Sequence, residues 1–99
     1  IIIMDPPSFG RGSKNEVWNI ETDLDDLLKD VSQLLSDNPL LFLINSYTTG
    51  LSITVLENLL YLRVNEKHKG IITSDELGLP VKNSNLILPC GIYARWERK

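Results

Sequence analysis

Ile1-Ile2-Ile3-Met4-Asp5-Pro6-Pro7-Ser8-Phe9-Gly10-Arg11-Gly12 decides how this chain is read. Four apolar residues in a row suit a strand buried on both faces, the usual state of a central parallel strand in an α/β sheet. Asp5-Pro6-Pro7 then stops it, because proline fixes φ and has no N–H for a ladder. A carboxylate, an aromatic ring and a glycine-containing turn are thereby presented at the carboxyl end of a central strand. Open α/β sheets bind ligands at that end. The chain enters directly inside the strand, so the expectation is a portion of a longer protein.

Ninety-nine residues suit one small domain, and 42% apolar with 23% charged residues is ordinary for a folded globular chain. The net charge of -3 argues against this segment as the main electrostatic grip on nucleic acid, which wants a basic face. It leaves nucleic acid open as a substrate. The single cysteine, Cys90, excludes an internal disulfide and suits a reducing, cytoplasmic setting. No apolar run approaches the ~20 residues of a membrane span, and no signal-peptide pattern is present.

Outward from the first strand, Asp5 to Glu21 reads as a long polar loop, of the kind that is often functional. Thr22 is the expected N-cap of a helix with Asp23, Asp25 and Asp26 in its first turn. Leu24, Leu27, Leu28, Val31, Leu34 and Leu35 follow the spacing of one buried helix face, and Ser36-Asp37-Asn38-Pro39 ends it. Leu40 to Ile44 is a second buried strand. Ser52 caps a second helix carrying Val55, Leu56, Leu59, Leu60 and Leu62. A third strand is expected over Gly70 to Glu76. A fourth runs over Leu86 to Trp96, with Pro89 and Gly91 marking an irregularity inside it.

The first two connections each hold a helix, as right-handed parallel crossovers require. The last, Leu77 to Asn85, is too short for a helical crossover and joins antiparallel strands. The expected order is β-α-β-α-β-β, an α/β fold whose last strand runs against an otherwise parallel set.

Parallel pairing puts the ends of the first two strands side by side. Asp5-Pro6-Pro7-Ser8-Phe9 and Asn45-Ser46-Tyr47-Thr48 then line one crevice. Prolines without N–H leave carbonyls free as acceptors, and Phe9 offers a face for a planar ring. Such a set can hold a flat heterocycle and accept protons from its amino group. The competing reading is a rigid turn without chemistry. Arg11 and Lys14 lie where they could reach phosphates, Trp18 is expected to anchor its loop, and Trp96 to pack. Cys90 reads as a buried structural thiol and His68 as a solvated residue at a helix end. One Cys and one His make no metal constellation.

Asp5-Pro6-Pro7-Ser8-Phe9 resembles motif IV of class I S-adenosylmethionine (SAM)-dependent methyltransferases, Asp/Asn-Pro-Pro-aromatic, with one extra residue before the ring. The chain is similar to the C-terminal half of that catalytic domain, in the group related to large-subunit ribosomal RNA methyltransferases. Asp5 to Glu16, Leu41 to Ser52 and Asp75 to Trp96 carry the likeness. Glu76-Leu77-Gly78-Leu79-Pro80 and Leu88-Pro89-Cys90-Gly91 match closely.

The resemblance implies a partial Rossmann-like fold, SAM as cofactor, and methyl transfer to a nucleic-acid base, in ribosomal RNA. It implies that Asp5 and the Pro6 carbonyl accept bonds from the target amino group, and that they also border the cofactor. Pro7 would keep the turn rigid and Phe9 would stack on a flipped base. Ser8, Arg11, Asn45, Ser46 and Tyr47 would flank the substrate. The glycine-rich SAM loop lies outside these residues. The cysteine nucleophile of the 5-methylcytosine relatives has no counterpart in Asn45-Ser46-Tyr47-Thr48-Thr49-Gly50, which speaks against covalent attack on a pyrimidine. The alternatives are a standalone binding module that recruits a partner through residues 10–20, and an inactive methyltransferase-like RNA-binding protein.

Overall fold

In a computed structural model that describes residues 1–48 and 50–99, the chain runs β1 (Ile2–Met4), β2 (Phe9–Arg11), β3 (Val17–Asn19), α1 (Ile20–Ser32), β4 (Leu41–Ser46) and α2 (Ile53–Leu60). A π-helical turn (Tyr61–Asn65), β5 (Gly70–Pro80) and β6 (Ile87–Arg98) follow. Thr49, in the polar stretch Asn45 to Gly50, lies outside the described residues.

The main sheet has the order β1-β4-β6-β5. β1 and β4 are parallel, with Ile2 opposite Phe42 and Met4 opposite Ile44. β6 is antiparallel to both β4 and β5 and lies between them. The expected antiparallel last strand is therefore present, and it is inserted within the sheet instead of added at its edge. β1, β4 and β5 run in one direction.

Register assigns each side chain a face. Ile2, Met4, Phe42, Ile44, Ala94 and Trp96 share one face and meet Leu24 and Leu28 of α1, Leu56 and Leu60 of α2, and Val64. Among the described residues, ten buried apolar residues form this core. Each large one stabilises the fold by about 1.5–3 kcal/mol relative to exposure. The π-helical turn extends α2 and carries the stripe on to Val64, while Val55 and Leu62 stay exposed.

Several expectations are corrected. β1 is an edge strand with Ile1 and Ile3 exposed by 74% and 63%. β4 alternates too, burying Phe42, Ile44 and Ser46 but leaving Leu41 and Leu43 half-buried. An all-apolar run fits burial on both faces, yet within this chain the core helices cover only one. The supposed loop between β1 and α1 contains a hairpin, with Phe9 opposite Asn19 and Arg11 opposite Val17.

Asn19, not Thr22, caps α1: its side chain accepts from the Glu21 N–H at 3.0 Å, and the Asn19 N–H donates to Asp23 at 2.8 Å. This reciprocal pair satisfies donors that a helix start leaves free. α1 ends at Ser32, so Leu34 falls outside the stripe and is exposed. The Ser52 cap is as expected, accepting from the Val55 N–H at 3.2 Å. Cys90 is exposed, because it is the extra residue where the register shifts between Leu77 and Gly78. His68 is half-buried, edge-on to Trp96, with Nε2 shielded from solvent. Among the described residues no helix is long and apolar enough to cross a membrane.

Candidate active site

The parallel pairing of β1 and β4 brings their carboxyl ends together. The ladder stops at Met4 opposite Ile44, so Asp5 and Asn45 stand one step further at the same level. Pro6 is buried beneath this point, while Asp5 and Pro7 are exposed. Among the described residues nothing donates a hydrogen bond to the Asp5 carboxylate or the Pro6 carbonyl. The Pro7 carbonyl, in contrast, accepts from Trp18 Nε1–H at 2.6 Å. Trp18 sits in β3 opposite Gly10, and the hairpin thereby locks onto the diproline turn. Its expected anchoring role has this bond as its physical basis.

The same hairpin presents Phe9. The ring is 55% exposed, and the Arg11 guanidinium lies 5.9 Å from its centroid. That distance suits a cation–π contact. Residues two apart on a strand share a face, which is why Phe9 and Arg11 meet. A hollow of about 430 Å³ opens beside the turn, lined by Pro7, Gly10, Arg11 and Trp18 among others.

A second link joins the two strand ends. Ser8 and Thr48 share a hydroxyl–hydroxyl bond of 2.6 Å. Thr48 N–H in turn donates to Ser46 Oγ at 3.1 Å. Ser46 is only 2% exposed and faces the core side, so it shapes the loop and does not face the crevice; that corrects the expectation of a substrate contact. Its place follows from alternation along β4, which a crevice drawn from sequence order alone does not resolve. Ser8 is half-buried and acts as a clamp on Thr48. Asn45 lies on the opposite face, beside Tyr93 and Arg95, around a hollow of about 500 Å³. Tyr47 is exposed at the rim.

Asp5, Phe9 and Tyr47 are exposed around the two strand ends, Arg11 lines the hollow beside the diproline turn, Asn45 lines the other hollow, and Pro6 is buried. Pro7, Ser8, Ser46, Thr48 and Trp18 form the framework that holds them. Gly91 belongs to that framework as well. Its φ is +120°, and a Cβ there would collide with the Ser46 carbonyl. From sequence it signals only an irregularity in a strand; its contact with the end of β4 requires the tertiary pairing.

The chain is an α/β layer with two parallel strand ends side by side and an antiparallel strand lodged within the sheet. The chain is similar to a solved structure described as the SAM-dependent methyltransferase from Agrobacterium tumefaciens, with 30% sequence identity and a TM-score of 0.82. The match covers 99% of this chain and 33% of that one, so this chain spans about a third of its length. No protein-family model matches the chain, and no curated protein sequence does. The fold is that of part of a methyltransferase.

Proposed function

We propose that this chain forms the acceptor side of a SAM-dependent methyltransferase acting on an amino group of a nucleic-acid base, in ribosomal RNA. The observation that carries this reading is the Asp5 carboxylate and the Pro6 carbonyl, which meet no donor among the described residues, at a strand end beside an exposed aromatic ring. The likeness to a methyltransferase over nearly the whole chain supports methyl transfer.

The residues fit the cofactor on the acceptor side. An exposed carboxylate and a free carbonyl at one point form an electronegative spot that suits a sulfonium and an amino group alike. Asp5 and Pro6 would border SAM, which supplies a methyl group already activated for transfer. What remains for the protein is mainly alignment. Asp5 and the Pro6 carbonyl accept hydrogen bonds from the two amino N–H groups and so aim the nitrogen lone pair. Phe9 stacks on the extruded base and offsets part of the cost of unstacking it. Arg11, on one face of that ring, leaves the other face for the base and adds a cation near the strand. Asn45 and Tyr47 line the far wall.

The experiment is calorimetry and transfer kinetics on the full-length protein. SAM binding is expected, and Asp5→Ala should leave it largely intact while lowering kcat/KM on ribosomal RNA by about 100-fold or more. Loss of SAM affinity alone would move Asp5 from substrate to cofactor duty. Absence of SAM binding by the unsubstituted protein would overturn the enzyme reading and favour a binding module.

A further inference from the structure

Past the register shift at Leu77/Gly78, β5 and β6 leave the sheet as a two-stranded arm. Every residue from Gly78 to Cys90 is exposed. Among them Leu86 is 69%, Ile87 68%, Leu79 59% and Leu88 55% exposed. The arm is nonetheless ordered. Its ladder continues to Pro80 opposite Ile87, and the tip closes with Val81 N–H donating to the Leu86 carbonyl at 3.0 Å. Asn83 turns the chain at φ 60°. An ordered, exposed and largely apolar hairpin marks an interaction surface.

The composition selects the partner. Between Glu76 and Arg95 the only charged residue is Lys82, at the tip. No aromatic residue occurs from Gly78 to Cys90. One cation cannot neutralise a run of phosphates, and without aromatic rings there is no stacking platform for bases. An interfacial lipid anchor would likewise carry several basic residues and Trp or Phe. The base of the arm, in contrast, carries exposed Asp75 and Glu76.

We propose that the arm is a self-association surface, on which a second copy of the chain lays its own arm antiparallel about a two-fold axis. That arrangement is isologous, with the same patch on both copies. It sets each Lys82 tip against the partner copy's acidic base and turns toward each other the two faces that carry Pro80 and Ile87, which the register puts opposite one another. From Glu76 to Lys82 the strand extends roughly 20 Å at the usual rise, so the overlap uses the whole arm. Two such arms cover on the order of 1,000 Å², the size at which specific interfaces begin. Pro80 and Pro89 remove N–H groups from the edges, so side-chain packing holds the copies together instead of a continuous ladder. The proposal is independent of the methyl-transfer reading.

Sedimentation velocity on the full-length protein tests it. The expected result is a dimer that Ile87→Ser and Lys82→Glu each weaken by about tenfold or more. The exchanged pair Glu76→Lys with Lys82→Glu should restore it. All three positions are exposed, and thermal melting of each variant confirms that the fold is kept. A monomer at about 100 µM overturns the proposal, whether or not it then floats with phosphatidylcholine–phosphatidylglycerol vesicles. So does a dimer that either substitution leaves unchanged, and so does failure of the exchanged pair to restore association.

Discussion

At the scale of single residues, Trp18 determines which carbonyl of the diproline turn stays free. Its indole N–H donates to the Pro7 carbonyl at 2.6 Å, whereas the Pro6 carbonyl meets no donor among the described residues. Trp18→Phe keeps the ring and removes only the donor. The expected cost is about 1 kcal/mol in urea unfolding, the usual worth of one such bond. Transfer should suffer more than SAM binding if the turn carries the acceptor side, as proposed above. Measuring both on the variant checks this; equal losses would place Trp18 in general stability alone. Asp5, Pro6 and Phe9 are legible in the sequence because proline chemistry and an aromatic neighbour act locally. Ser46 is not, since its face depends on which β4 side chains the helices cover.

At the scale of elements, α1 is tied to the π-helical turn that extends α2. Arg63 meets Asp25 through two bonds of 2.7 Å. That paired hydrogen bond holds the Asp25 carboxyl below its ordinary value and the Arg63 guanidinium above its own. A carboxylate with a lowered folded pKa contributes stability that is full above its unfolded value of about 4. The contribution is lost as pH falls through the lower folded value. Arg63 stays charged throughout this window. In Arg63→Met the part of the acid-induced fall in stability that belongs to Asp25 should disappear, read from urea midpoints at neutral and acid pH. An unchanged pH dependence would show that the bridge is solvated away.

The elements themselves divide by length and locality. α1, α2, β1 and β4 are readable because periodicity or a continuous apolar run spans them. The β2–β3 hairpin escapes, since three-residue strands give no periodicity and its turn depends on Asn15 at φ 61°. β5 extends beyond its expected end at Glu76 because Pro80 lies in a projecting arm, where a missing N–H breaks no central ladder. His68 looks solvated beside two lysines, and only the packing of Trp96 under the sheet shows otherwise.

At the scale of the whole molecule, the core lies on one side of the sheet and the arm projects from it. Gly91 is where the arm leaves. A side chain there meets both an unfavourable φ and the Ser46 carbonyl. Gly91→Ala is expected to destabilise the protein by roughly 1–3 kcal/mol, measured by chemical unfolding. Retention of full stability would mean that the end of β4 gives way without cost.

Contacts continue from that point in an unbroken series. Gly91 abuts the Ser46 backbone, the Ser46 hydroxyl holds Thr48, Thr48 holds Ser8, and Ser8 adjoins Pro7 and Phe9. The arm is therefore mechanically continuous with the acceptor crevice. A load applied at its tip by another molecule would be transmitted through a handful of short contacts to the exposed Phe9 ring. The proposed association surface and the proposed acceptor site share one strut, and its narrowest section is a residue with no side chain.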